Sequence, residues 1–136
     1  MITAIDHIGI AVSDLEAAMA RYKGLFGVET FHRERVEDQG VEIASFELNG
    51  VRIELTAPTS EATPIGKFIA SRGEGIHHIA FRSDAIREDL SNARANGIQL
   101  INDEPRMGAH EMLIAFLHPK STGGVLMEFC QHNSLV

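Results

Sequence analysis

Four residues in this chain have the types and the spacing to hold a metal ion: His7, Glu54, His78 and Glu128. About 47 positions separate His7 from Glu54 and about 50 separate His78 from Glu128, so one His-to-Glu interval occurs twice. Both glutamates sit in apolar stretches, "GVRIEL" at 50–55 and "GVLMEF" at 124–129, that otherwise read as buried strands. A carboxylate in such surroundings is costly unless a cation meets it. Two imidazoles and two carboxylates converging on one point form an N/O donor set for a divalent ion. A single strand histidine is ordinarily a hydrogen-bonded core or surface residue. The duplication of both residue types, in register, is what points to a shared metal.

The elements that must position these four residues repeat as well. "AIDHIGIAV" (4–12) is rich in β-branched residues and reads as a strand. A helix follows over 13–27, with Leu15, Met19, Tyr22 and Phe26 on one face, a Ser13/Glu16 capping box and Gly27 at its stop. Strands are expected at about 28–35, 40–48 and 50–57, the last two joined by a tight turn at "LNG" (48–50). "APTSEATP" (57–64) is a linker, and Pro64 opens a short helix. The pattern then restarts: "GIHHIAF" (75–81) resembles "AIDHIGI" (4–10) and places His78 on His7. A helix with Ile86, Leu90 and Ala93 inward ends at Gly97, and strands are expected near 98–103, 111–118 and 124–131. A period near fifty residues is one at which internal repeats should be suspected. The fold class is therefore α+β. Two βαβββ modules, about 3–57 and 74–132 with a linker and short helix at 58–73 between them, pair by pseudo-twofold symmetry around a metal-binding cup within a single domain, 1–136.

Strand alternation assigns faces. His7 goes with Gly9 and Ala11, His78 with Ala80, and Glu54 and Glu128 oppose the bulky apolar residues beside them. His77, next to His78, takes the other face and is read as structural. The two halves also differ. Aligning "VEIASFEL" (41–48) with "EMLIAFLH" (111–118) on Phe46 and Phe116 pairs Glu42 with Met112, and Glu42 shares a face with Ala44 and Phe46. If that face lines the cup, Glu42 is a carboxylate free to move a proton. A solvated edge-strand glutamate is an equal reading of the same residues.

Composition excludes other classes. A formal charge of −7 argues against a nucleic-acid surface. No apolar run approaches membrane-spanning length, and the first residues lack a signal-peptide pattern, so a cytoplasmic location is expected. The single cysteine, Cys130, excludes an internal disulfide and a thiolate metal cage and reads as packing. Lys120 and Ser121 in "HPKSTGG" (118–124), and Lys67, Arg72 and Arg106, have weaker claims on an anionic ligand.

"IDHIGIAV", "EDQGVEIASFEL", "VRIELTAP", "GIHHIAF", "DEP" and "HPKSTGGVLMEF", in that order, resemble the methylmalonyl-CoA epimerases of the vicinal oxygen chelate (glyoxalase) superfamily. The resemblance spans Ile5 to Gln131. It implies a metal-dependent isomerase acting on a small-molecule acyl-CoA, with His7, Glu54, His78 and Glu128 as metal ligands and Glu42 and Glu128 as two catalytic bases. It also implies a homodimer. Some members have Gln at the position of Glu54, and a second anionic ligand makes the ion a slightly weaker acid. The divalent ion is Co, Mn, Zn, Ni or Fe, since an N/O set without sulfur suits all five. The rival enzyme of the same fold is a glyoxalase I-type lactoylglutathione lyase, and the rival without catalysis is a ligand-sequestering resistance-type protein.

Overall fold

The computed structural model describes residues 1–133. Its elements, in chain order, are β1 (Ile2–Ala11), α1 (Leu15–Phe26), β2 (His32–Val36), β3 (Val41–Leu48), β4 (Val51–Pro58), α2 (Pro64–Arg72), β5 (Gly75–Ser83), α3 (Ile86–Ala95), β6 (Arg106–Met107), β7 (Met112–Leu117) and β8 (Met127–His132). This is βαβββ written twice with a helix between, the mixed α+β pattern read from the sequence. The chain divides into two compact units. One is Ile8–His77; the other is Met1–His7 together with the described residues from His78 onward.

In the Ile8–His77 unit the hydrogen-bonded strand order is β2-β3-β4-β1. β3 and β4 pair antiparallel from Val41↔Pro58 to Leu48↔Val51. The pairing leaves Asn49 and Gly50 as a two-residue loop, and both have positive φ, 48° and 91°. That is the backbone a right-twisted hairpin needs, and Asn-Gly adopts it at the lowest cost. One face of β3 and β4, through Ala44, Leu55 and Ala57, packs against Val12 and against Leu15 and Ala18 of α1. α1 is capped by Asp14, whose side chain accepts from the N–H of Ala17 at 3.1 Å. The expected Ser13/Glu16 box does not form: the Ser13 N–H donates to Glu74 and Glu16 pairs with Arg33. Gly27 ends the helix in the left-handed region, at φ 69°. Thr63 caps α2, with Pro64 in its first turn.

In the other unit the order is β1-β5-β8-β7-β6. β5 and β8 run parallel with Ala80 opposite Glu128; β7 and β8 run antiparallel with Phe116 opposite Glu128. Ile86 and Leu90 of α3 pack on Ala115, Leu113 and Phe129. Burying each of the two aliphatic side chains is worth roughly 1.5–3 kcal/mol. The opposite face carries Ala80, Met112, Ile114 and Cys130, flanked by Phe116, and no helix contributes to that cluster. The strand expected near 98–103 is not there. Leu100 makes one isolated bridge to Leu117, and the paired strand is the two-residue β6 at 106–107. The reason is local. The Asn102 side chain accepts the Phe116 N–H at 2.9 Å, taking the place of a main-chain carbonyl, and Pro105 has no N–H to donate.

Candidate metal centre

Three of the four predicted ligands meet in one unit. β1 ends its stay in that unit at His7, β5 enters it at His78, and β8 brings in Glu128 through its pairing with β5. The Nε2 atoms of His7 and His78 are 3.2 Å apart. Glu128 Oε2 lies 3.4 Å from His7 Nε2, and Glu128 Oε1 lies 3.5 Å from His78 Nε2. The imidazoles meet edge to face, with ring centroids 5.2 Å apart, and Phe116 packs against His78 at 5.5 Å. All three ligand candidates are buried, at 4%, 7% and 3% exposure. Donors about 2.1 Å from a common ion stand roughly 3.0 Å apart at a right angle and roughly 3.4 Å apart at the tetrahedral angle. The three separations therefore suit a divalent ion held by two nitrogens and a carboxylate.

A fourth residue joins this group that the sequence reasoning did not single out. Asp6 is fully buried, and its Oδ2 accepts from His7 Nδ1 at 2.7 Å. Its other oxygen accepts from Arg82 Nε at 3.1 Å and Arg82 Nη2 at 2.9 Å. A carboxylate on the outer nitrogen of a metal-binding histidine is the ordinary support for such a ligand. The only hint in the sequence was a charged residue directly before the histidine in an apolar strand.

The remaining predicted residues lie in the Ile8–His77 unit. Glu54 is 3% exposed and faces the same side of the β3–β4 ladder as Ser45, its register partner. Arg52, two residues earlier and on that same face, donates to Glu54 Oε2 from Nε at 3.3 Å and from Nη2 at 3.1 Å. Glu42 is on the other face. It pairs across the ladder with Ala57, next to Ala44↔Leu55, on the side that packs against α1. Its Oε1 accepts from Arg35 Nη1 at 2.9 Å, and the two side chains border a shallow cavity of about 240 Å³ with Leu15 and Arg33. Glu42 therefore does not share the face of Glu54: the register puts it on the side of Ala44 and Leu55. The alignment on Phe46 and Phe116 was one residue out: Ser45 stands opposite Glu54, whereas Phe116 stands opposite Glu128. A one-residue slip moves every side chain of a strand to the other face. On Glu54's side of β3 the corresponding positions are Val41, Ile43 and Ser45.

His77 behaves as the sequence suggested. It packs edge to face on Phe68 of α2, with centroids 4.9 Å apart. Burial holds its pKa down at about 4, so it is neutral near pH 7. Cys130 is fully buried, with its sulfur 3.5 Å from the Phe81 carbonyl, and serves packing. Among the described residues no helix is long and apolar enough to cross a membrane.

Named proteins resemble this chain over nearly its whole length. An ethylmalonyl-CoA/methylmalonyl-CoA epimerase of Cereibacter sphaeroides is 36% identical over 133 residues, covering 96% of this chain and 99% of the relative. The mitochondrial methylmalonyl-CoA epimerase of Homo sapiens is 34% identical over 128 residues, 93% of this chain and 73% of that protein. Among solved structures, a methylmalonyl-CoA epimerase in complex with methylmalonyl-CoA and ammonium superposes with a TM-score of 0.95 at 40% identity, covering 99% of this chain and 98% of the other. Residues 6–116 match the model of the glyoxalase/bleomycin resistance protein/dioxygenase superfamily, and the chain belongs to that family.

Proposed function

We propose that this chain is a methylmalonyl-CoA epimerase, an isomerase that inverts the 2-carbon of methylmalonyl-CoA by taking its proton and returning one on the opposite face. The observation that carries the reading is the buried convergence of His7, His78 and Glu128, seen in a chain whose relatives over nearly its whole length bear that name. His7, His78 and Glu128 would hold a divalent ion, and Glu54 is assigned as the fourth ligand on the strength of the sequence repeat. When bound, the ion supplies Lewis-acid stabilisation of the negative charge that develops on the thioester oxygen as the proton leaves. The protein's part is to supply a dry pocket and a base. Glu128 is assigned the second role, with one carboxylate oxygen moving the proton at the 2-carbon. Its burial removes competing water, and the neighbouring imidazoles fix its position.

The resemblance nominates Glu42 for the opposite face of the carbon, but the β3 register puts it on the α1 side. We therefore assign only one of the two proton transfers to a named side chain. The reading further includes an acyl-CoA substrate and a homodimer, the latter checked by sedimentation velocity.

The deciding experiment is proton NMR of metal-loaded protein with methylmalonyl-CoA in deuterium oxide, alongside a stereospecific coupled assay. Loss of the 2-proton signal together with inversion is the expected result. No exchange, with turnover of a glutathione hemithioacetal instead, would replace the epimerase by a lyase of the same family.

A further inference from the structure

The positions just before the two ligand histidines are equivalent in the repeat but carry different residues: Asp6 before His7 and His77 before His78. The difference has consequences for the imidazoles. Asp6 is fully buried yet sits against the Arg82 guanidinium, which donates two hydrogen bonds to its Oδ1. With Oδ1 taken by two guanidinium N–H groups, Oδ2 is the oxygen left to accept from the imidazole. The 2.7 Å contact to His7 Nδ1 therefore places the ring proton on Nδ1. His7 Nε2 is then the lone pair, and it lies 3.2 Å from His78 Nε2, where the candidate ligands gather. The position before His78 is filled by His77 instead. It is an imidazole packed on Phe68 of α2.

We propose that Asp6, clamped by Arg82, is the positioning residue of the metal centre: it locks His7 in the Nδ1–H tautomer with Nε2 presented for coordination. This rests on the reading of His7 and His78 as ligands. Asp6 meets the outer nitrogen of His7 and Arg82 meets Asp6, so their influence on coordination passes through the His7 ring.

Two measurements test this, and they fail independently. The first is ¹⁵N NMR of the imidazoles in wild-type, metal-free protein, which reads the tautomers without any substitution. His7 is expected with Nδ1 protonated and Nε2 bare. A His7 proton found on Nε2 overturns the proposal. The second is cobalt(II) affinity by chelator competition. Asp6→Asn, which keeps the side-chain shape, is expected to weaken binding roughly 10- to 100-fold. Arg82→Gln shifts affinity in the same direction by less, and His77→Phe leaves it unchanged. Wild-type cobalt affinity in a folded Asp6→Asn protein would reduce Asp6 to a structural residue and overturn the assignment. If Asp6→Asn does not fold, Arg82→Gln and the tautomer spectrum decide. Failure of the wild type to bind cobalt at all would remove the ligand reading itself, whatever the tautomer of His7.

Discussion

Replacing Arg52 by methionine separates what this arginine does for the fold from what an ion does for Glu54. The arginine and its partner are well inside the protein, with side chains 14% and 4% exposed, and two N–H groups converge on one carboxylate oxygen. Removing the cation from a buried pair costs roughly 3–5 kcal/mol, because the carboxylate loses a counter-charge it cannot recover from water. Methionine keeps most of the aliphatic stem, so the lower end, about 3 kcal/mol, is the expected loss in metal-free protein. At about 4 °C per kcal/mol for a chain of this length, the melting temperature falls by about 12 °C. A divalent ion that also coordinates Glu54 supplies the missing positive charge. The rise in melting temperature on adding cobalt(II) should therefore be several degrees larger in Arg52→Met than in wild type. The assay is thermal denaturation of both proteins, stripped with chelator and then reloaded. Equal metal-induced rises would show that Glu54 does not meet the ion. An unchanged metal-free melting temperature would refute the energetic argument for the pair.

Three further outcomes follow from the same geometry. Glu42→Gln is expected to hold kcat within about twofold of wild type, because Glu42 lies on the α1 face; loss of a general base costs roughly 10²- to 10⁴-fold, and a fall of that size would overturn the face assignment. His77→Phe should flatten the acid side of the stability profile. With a folded pKa of about 4 against 6.5 unfolded, the unfolded chain binds the proton first, so stability is full above pH 6.5 and is lost as pH falls toward 4. The wild type gives up about 2 kcal/mol through this group by pH 5, and parallel urea-denaturation profiles for the two proteins would contradict that. His78→Ala should purify without stoichiometric metal; a metal content equal to wild type would exclude His78 as a ligand.

The doubled module was legible because each level of the sequence repeated together: strand, helix, hairpin signal and ligand. His7, His78 and Glu128 follow from alternation within short strands, where a residue's parity is fixed by its neighbours. Asp6 was not legible. Alternation sends it away from His7, and only the folded backbone shows its carboxylate turning back to the Nδ1 atom. The strand expected near 98–103 failed for a related reason. Nothing in the apolar pattern "GIQL" reveals that the Asn102 side chain will occupy the position of a main-chain acceptor.

The misplacement of Glu42 has the most to say about how such a site is encoded. "IASF" and "LIAF" invite an alignment on their phenylalanines, but parity relative to the ligand strand depends on the loop between the two strands. The β3–β4 loop is two residues, Asn49 and Gly50, whereas the β7–β8 connection runs through a 3-10 turn at Pro119–Ser121 before β8 begins at Met127. The two phenylalanines consequently do opposite work. Phe46 lies on the helix side within a cluster of Tyr22, Phe26 and Phe31, at centroid separations of 5.7–5.9 Å. Phe116 lies on the ligand side, edge to face with His78 at 5.5 Å, and stands opposite Glu128. At the position equivalent to Phe116 the other half has Ser45, buried like the Glu54 it stands opposite. The two glutamates are thus duplicated while their surroundings are not, with an aromatic ring opposite Glu128 and a small hydroxyl opposite Glu54.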